Sequence, residues 1–429
     1  MRPKPRSRRD FLARSTTSVL ALSGLAAQPR GARAAGPNDS ITLGFIGTGG
    51  MGTGLLNIFK EISDVRVAAV CDVYEKHALE ARDLAGNSPD VYADFRKILD
   101  RQDIDAVVVA TPDHWHCIPS VMACQAGKDV YCEKPLAYTI GESRLMADAA
   151  AKHKRITQMG NLIHASETYH RVAEIVQSGV LGKIPKVRIW MARHEESLGH
   201  PSDEPPPAGC EYDFWLGPAP KRPFNENRFT FNWRFFWDYG GGLLEDFICH
   251  LLDPVHWGTK AVAPETILAD GRRVSDDNAE TPDTLEVLYH YPEGFDLIWS
   301  MQDHNARGFF NRPAGFAFYG ARATLHAHYN DYKILPEKGE DIVEPEPTLP
   351  RSPGHHREWL DAIKSRQLAS CNFTYGHEIT TVGHLGNIAL RTGKKLTWDK
   401  DAERFQNADD ANAYLFRPEY RAPWRLPSL

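Results

Sequence analysis

Three groups of residues in this 429-residue chain have types and spacings that suit chemistry. The first is Gly47-Thr48-Gly49-Gly50-Met51-Gly52, a G-x-G-x-x-G run directly after an apolar stretch, with Asp72 twenty residues beyond it at the end of a second apolar stretch. Glycines permit a tight turn and close backbone approach, and a helix N-terminus stabilises a pyrophosphate, so the run reads as a dinucleotide cradle. The Asp72 carboxylate can accept hydrogen bonds from ribose hydroxyls and repels a 2′-phosphate. No arginine follows it in Asp72-Val73-Tyr74-Glu75, so NAD is favoured over NADP. The second group is Cys132-Glu133-Lys134-Pro135, a charged pair where a buried parallel strand ends and a ligand crevice forms. The third is Gly240-Gly241-Gly242 followed by Asp246 and His250, which stand four apart and so share one helix face. Taken singly, such an Asp or His is more often a structural hydrogen-bonding group.

The elements that must position these groups follow from periodicity. Apolar stretches at 42–46, 65–70, 106–110, 130–132 and 156–159 alternate with amphipathic stretches at 55–62, 76–85, 118–126 and 140–153. That alternation predicts βαβ units, hence a doubly wound parallel sheet of Rossmann type over residues 38–160. After Gly160 the texture changes to a helix (167–178), a strand (186–191) and an irregular Pro- and aromatic-rich section (200–239). A hairpin turning at Pro292-Glu293-Gly294, a second around Gly320, and helices at 356–365 and 377–391 follow. The fold class expected is α/β joined to α+β: a Rossmann domain, then a substrate and oligomerisation domain on an open, mostly antiparallel sheet over 161–400, with 401–429 as a C-terminal tail.

Other candidates are weaker. Asp113-His114-Trp115-His116 follows the stretch 106–110 and reads as a loop at the cofactor's edge rather than a metal site. His355-His356 lacks a third ligand at any recognisable spacing and reads as a solvated helix start, so no metal is expected. The aromatics Phe229, Phe231, Trp233, Phe235, Phe236, Trp237 and Tyr239 read chiefly as core, with a stacking wall for a sugar ring as the other reading.

Composition bounds the rest. With 42% hydrophobic and 25% charged residues the chain is no coiled coil, collagen or disordered polymer. No apolar run reaches the ~18 residues of a spanning helix, so no membrane anchor is expected. Residues 1–34 read as a leader: Ser7-Arg8-Arg9-Asp10-Phe11-Leu12 resembles a twin-arginine signal, a weakly apolar stretch follows, and Ala32-Arg33-Ala34 suits cleavage. The expectation is recognition by the twin-arginine export machinery and a periplasmic or otherwise exported location after cleavage near Ala34. Eight of the 50 Lys and Arg and one of the 56 acids lie in that leader, so the remainder carries a formal charge of −13. Such an acidic balance argues against nucleic-acid or anionic-membrane partners. Seven cysteines without a Cys-x-x-Cys spacing read as small buried hydrophobes.

The motifs together resemble the Gfo/Idh/MocA oxidoreductases, which include glucose–fructose oxidoreductase and inositol dehydrogenases. The carriers are Gly47–Gly52, Thr111-Pro112 with His116, Glu133-Lys134-Pro135 and Asp246-x-x-x-His250, across most of the chain after the leader. An exported subgroup also shares Asp113–His116, Trp215–Pro220, Tyr239–Gly242 and Gly386–Gly393. The resemblance implies catalytic roles for Lys134, Asp246 and His250, and a nicotinamide end lined by Glu133, Lys134 and the loop Thr111, Pro112 to His116. It often implies a cis Lys134–Pro135 bond and pairing into a dimer or tetramer. For carbinol oxidation, His250 would serve as general base, Lys134 would stabilise alkoxide charge and Asp246 would orient them. Which of Lys134 and His250 takes the proton stays open at this level.

The function so implied is NAD-dependent oxidation of a sugar, polyol or glycoside hydroxyl. Outside the cytoplasm no NAD pool exchanges, so export implies a tightly bound cofactor recycled in place. One alternative is a redox-neutral glycosidase or epimerase passing through a 3-keto intermediate, with His250, His116 or Tyr239 removing the C2 proton. Another is a non-catalytic exported sugar-binding protein.

Overall fold

The structure, a computed structural model, describes residues 40–429, so the expected leader lies outside the described residues. Six parallel strands, β1 (Ile41–Ile46), β2 (Val65–Cys71), β3 (Asp90–Tyr92), β4 (Ala106–Val109), β5 (Asp129–Cys132) and β6 (Thr157–Met159), form a sheet in the order β3-β2-β1-β4-β5-β6. Strand order reverses between β1 and β4, and at such a reversal a crevice opens beyond the strands' carboxyl ends. β1 is buried along its whole length because parallel strands need cover on both faces. Part of that cover comes from far along the chain. The helix His355–Ser365 lays Trp359 and Leu360 against Phe45, Phe59 and Tyr131, and its Arg357 and Lys364 both pair with Asp64. This helix, expected within the second domain, therefore packs on the first sheet.

A nine-stranded sheet follows, built from β7 (Lys186–Ala192), β8 (Thr266–Arg272), β9 (Thr284–Tyr291), β10 (Phe295–Gln302), β11 (Ala314–Tyr319), β12 (Ala323–Ala327), β13 (Tyr332–Pro336), β14 (Leu396–Asp399) and β15 (Arg404–Phe405). Their order is β13-β12-β11-β7-β10-β9-β8-β14-β15, with β7 and β10 parallel and every other pairing antiparallel. Alternation decides its faces: Leu285, Val287, Tyr289 and Tyr291 are buried, while Glu286, Leu288 and His290 point outward. The buried face rests on the helices Gly242–Thr259 and Phe373–Thr392. Gly386 makes that contact close, since a Cβ there would lie 2.3 Å from the Tyr289 hydroxyl.

The differences from sequence expectation have local causes. The first helix begins at Gly50, not near residue 55, because its opening turn is glycine-rich and shows no apolar period. β3, β13 and β15 are short edge strands, and β8 and β14 inside the second sheet are short or interrupted by polar residues, so none shows an alternation legible in the sequence. Residues 401–429, expected as a tail, supply β15 and pack back on the body: Trp424 lies among Phe95, Trp115 and Phe214, and Tyr420 donates to Glu142. His355 is buried with its Nε2 2.9 Å from the Met159 carbonyl, so it does not form a solvated helix start. All seven cysteines are free thiols, six buried and Cys210 half-buried.

Two glycines of the cradle test its packing. A Cβ on Gly52 would sit 2.1 Å from the Gly47 carbonyl oxygen, whereas one on Gly50 would meet nothing within 4 Å. Gly52→Ala should cost about 1–3 kcal/mol of stability by overpacking, and Gly50→Ala within about 0.5 kcal/mol, both read from denaturant unfolding.

Candidate active site

The crevice beyond β1 and β4 is a cleft of ≈ 310 Å³, lined by Gly47, Gly49, Gly50 and Met51 of the glycine turn and by Asp72, Thr111–Asp113, His116, Glu133 and Lys134 from the first sheet. Phe229–Phe231, Trp233 and Arg234 close it from the second half of the chain. Gly47 has φ +83° and its N–H donates to the Cys71 carbonyl, which locks the turn against β2. Asp72 sits at the tip of β2 and accepts from the Thr48 and Tyr74 amides at 2.8 and 2.9 Å. The carboxylate thus shapes the glycine turn and keeps lone pairs for ribose hydroxyls.

These residues fit a dinucleotide. Gly49 and Gly50 leave the turn open, the helix Gly50–Phe59 starts there without a side-chain cap, and the buried Thr111 hydroxyl has no protein partner. The structure brings Met51, Pro112 and Glu133 to the same cleft, whereas Thr48 is buried behind the turn with its amide and hydroxyl directed to Asp72. His116 lines the cleft as expected, but its ring is buried, with Nδ1 and Nε2 each 2.8 Å from the carbonyls of Pro135 and Thr111, so it spaces the two loops and its nitrogens are turned to the backbone. Burial lowers its pKa to about 4, with the two carbonyl contacts acting the other way.

At the far end of the cleft the two halves of the chain meet. Lys134, just past β5 and followed by a cis peptide bond to Pro135, donates to the Asp246 carboxylate at 2.6 Å and to the Asp246 carbonyl at 2.8 Å. An ammonium has three N–H groups, so one remains for a ligand. Burial opposes the charge on Lys134, but Asp246 overrides it and holds the pKa above the ordinary value. Asp246 is likewise ionised: burial would raise its pKa, yet Lys134 and Arg234 pull it well below the usual carboxylate range. Glu133, next to them, is pushed up to about 7 by burial, with Lys134 acting the other way.

His250 lies one turn along the same helix as Asp246. Its Nδ1 is 2.6 Å from Asn161 Oδ1. The Asn161 amide group donates to the Cys249 carbonyl at 3.0 Å and to Asp253 at 3.1 Å, so its oxygen must face the imidazole. Nδ1 therefore carries the proton and Nε2 is left as a lone-pair acceptor. Asp253 is fully buried and also takes His164 at 2.9 Å and the Tyr375 hydroxyl, which fixes the carboxylate that fixes Asn161. Burial first, then Lys134, lowers the His250 pKa to about 3, so the ring is neutral throughout the physiological range.

Sequence reasoning missed Asn161, Asp253, Arg234 and Tyr329. Asp253 stands in the stripe Asp246, His250, Asp253 at helical spacing, a signal present in the sequence. Asn161 carries no local signal, because its partner is 89 residues away. The Tyr329 hydroxyl is buried without a protein partner, and its ring meets His250 edge-on with centroids 6.2 Å apart. Tyr239 is fully buried against His114 and Trp215, away from the cleft lining. The aromatic run splits as well. Phe235, Phe236 and Tyr239 are core, while Phe231, 58% exposed, lies at the cleft mouth. Among the described residues, no group of three or more His, Cys, Asp or Glu is arranged to hold a metal ion.

The family model described as an oxidoreductase family NAD-binding Rossmann fold matches residues 41–161, and one described as an oxidoreductase family C-terminal alpha/beta domain matches 167–426. A glycosyl hydrolase family 109 protein of Solibacter usitatus is 30% identical over 184 residues, 40% of this chain and 40% of its own length. An inositol 2-dehydrogenase of Klebsiella pneumoniae is 32% identical over 162 residues, 37% of this chain and 48% of its own. The chain thus spans less than half the length of these curated relatives. The WlbA dehydrogenase of Bordetella pertussis, solved with NADH and UDP-GlcNAcA, superposes with a TM-score of 0.66 at 16% identity over 84% of this chain and 99% of that one, a likeness of fold.

The Asn161 clamp makes a specific claim. Asn161→Leu should release the imidazole and lower turnover by about 10²–10⁴-fold, the usual worth of a positioned general base. Imidazole NMR signals should show His250 still neutral near pH 5, where an ordinary histidine is mostly charged. Removing the nearby charge with Lys134→Met should move its titration upward.

Proposed function

The chain belongs to the Gfo/Idh/MocA oxidoreductase family, and we propose that it oxidises a carbinol of a sugar, polyol or glycoside with an NAD that stays bound and is recycled. The observation that carries the reading is the set gathered behind Lys134, which lines the cleft: a charged Lys134 with one free N–H, an ionised Asp246, and a neutral His250 whose Nε2 is free. When bound, NAD supplies the two-electron acceptor that takes the hydrogen and electron pair of the substrate C–H bond. As that bond breaks and C=O forms, the hydroxyl proton passes to His250 Nε2. Lys134 holds the oxygen through its free N–H and stabilises the charge that develops there. The choice left open by the sequence falls on His250 as proton acceptor, because Lys134 is kept protonated by Asp246. Return of the proton and hydrogen to a second carbonyl, or to the same sugar after rearrangement, resets the site.

Retention of the cofactor has its own support in the backbone. Residues 209–211 cross over the segment that follows Asp72: Glu75 N–H donates to the Gly209 carbonyl at 2.9 Å, Glu211 N–H donates to the Val73 carbonyl at 2.8 Å, and Tyr74 bridges Cys210. Phe229 packs against Tyr74 from the same side, with centroids 6.0 Å apart. A strap across the segment that would hold the adenosine supports cofactor retention, and the export to the periplasm through the twin-arginine machinery that we propose would need such retention. The redox-neutral glycosidase or epimerase is the second reading, favoured by the similarity to the Solibacter family 109 glycosyl hydrolase. Of the three candidate bases for its elimination step, His250 is the one with a ring nitrogen not engaged by a protein partner among the described residues. Pairing of protomers fits the outer sheet face, where Leu268 and Leu288 are exposed.

Lys134→Ala and His250→Ala should each abolish turnover of sugars while NAD still co-purifies, and unchanged turnover in both would reject the assignment. Glu211→Pro removes one strap hydrogen bond at a backbone already near φ −77°, which proline accepts. Losing about 1 kcal/mol of support should speed NAD release roughly fivefold, followed by cofactor fluorescence.

A further inference from the structure

Arg234 is the one cleft residue with a distinctive chemistry that the oxidation step leaves unused. It sits on the 3₁₀ turn Asn232–Phe235, and Gly240 lets that turn lie against the entry to the helix bearing Asp246, since a Cβ there would meet the Arg234 backbone at 3.1 Å. The guanidinium lies over two rings, 4.6 Å from the centre of Phe231 and 4.3 Å from that of Trp233. One N–H donates to the Phe231 carbonyl at 2.8 Å, and Nε lies 3.4 Å from Asp246, the carboxylate that Lys134 already holds at 2.6 Å. Its other N–H groups have no protein acceptor among the described residues, and the residue lines the cleft.

A planar guanidinium fixed by stacking, with N–H groups turned to a cavity, is a receptor for a carboxylate. The charges around it point the same way. Lys134 and Arg234 both lie against the one carboxylate of Asp246, while burial holds the neighbouring Asp113 and Glu133 acids back from ionising. A substrate carboxylate would give the guanidinium a charged partner that a neutral polyol does not. Loosely held, Arg234 would serve only to balance Asp246; the two stacked rings fix it more rigidly than that role needs.

Building on the oxidoreductase reading, we infer that Arg234 binds the carboxylate of an acidic sugar, a uronic acid or a glycoside of one, and sets the enzyme's preference for it over the neutral sugar of the same ring configuration. The test is calorimetric binding of D-glucuronate, D-galacturonate, D-glucose and D-galactose to the NAD-loaded protein. The expected result is at least tenfold tighter binding of a uronate than of its neutral counterpart. Arg234→Gln should erase that preference and Arg234→Lys should restore part of it, with NAD content equal to wild type in each. Neutral sugars binding as tightly as uronates would overturn the inference and leave the oxidoreductase reading standing. Loss of NAD from Arg234→Gln would overturn it too, by assigning the guanidinium to the cofactor. If none of the four sugars binds, the sugar reading falls and takes this inference with it.

Discussion

The pair of Lys134 and Asp246 is the contact on which the site depends. It joins the carboxyl edge of the parallel sheet to the central helix of the second half of the chain, across 112 residues of sequence. Both side chains are largely buried, 11% and 15% exposed, so neither charge is stable without the other. Breaking such a pair by removing one partner typically costs about 3–5 kcal/mol. The same contact sets the chemistry of its neighbours. It keeps Lys134 cationic with one N–H to offer, and the positive charge of Lys134 helps keep His250 neutral.

The helix Gly242–Thr259 turns this contact into a fixed geometry. Asp246, His250 and Asp253 stand at i, i+4 and i+7 and form one stripe, with the last clamping Asn161 and through it the imidazole. Beside the stripe, Glu245 pairs with His384 at 2.6 Å and accepts from Asn387 at 2.9 Å, and His384 lies 3.0 Å from the Ala137 carbonyl just beyond Pro135. The loop carrying Lys134 and the helix carrying Asp246 are therefore tied together twice, once in the cleft and once behind it. Residues that face the ligand are positioned by buried residues that do not.

Continuous motifs made half of this arrangement legible from the sequence. The glycine turn, Asp72 and the strand–helix alternation are local patterns, and they placed the first sheet and its cleft within a few residues. Lys134, Asp246 and His250 were recognisable by type, but the contact between them joins distant segments and no spacing reveals it. Asn161 and Arg234 were invisible for the same reason, since an amide and a guanidinium are common surface groups until their partners are known. His116 shows the converse error: a histidine in a cleft-edge loop suggested ligand contact, whereas its two nitrogens are occupied by backbone carbonyls. The helix His355–Ser365 was found in place but assigned to the wrong neighbour, because helical periodicity shows that a face is buried and not what covers it.

The most direct measurement follows the hydrogen itself. Purified protein, given no added nucleotide, would be mixed with a panel of C-deuterated sugars and sugar acids, quenched within one turnover, and its released cofactor weighed by mass spectrometry. Reduced NAD carrying substrate deuterium, present in wild type and absent in His250→Ala, is the expected result. Substrate consumed with no deuterium on the cofactor, or deuterium transfer undiminished in His250→Ala, would contradict a hydrogen-transfer site built from Lys134, Asp246 and His250.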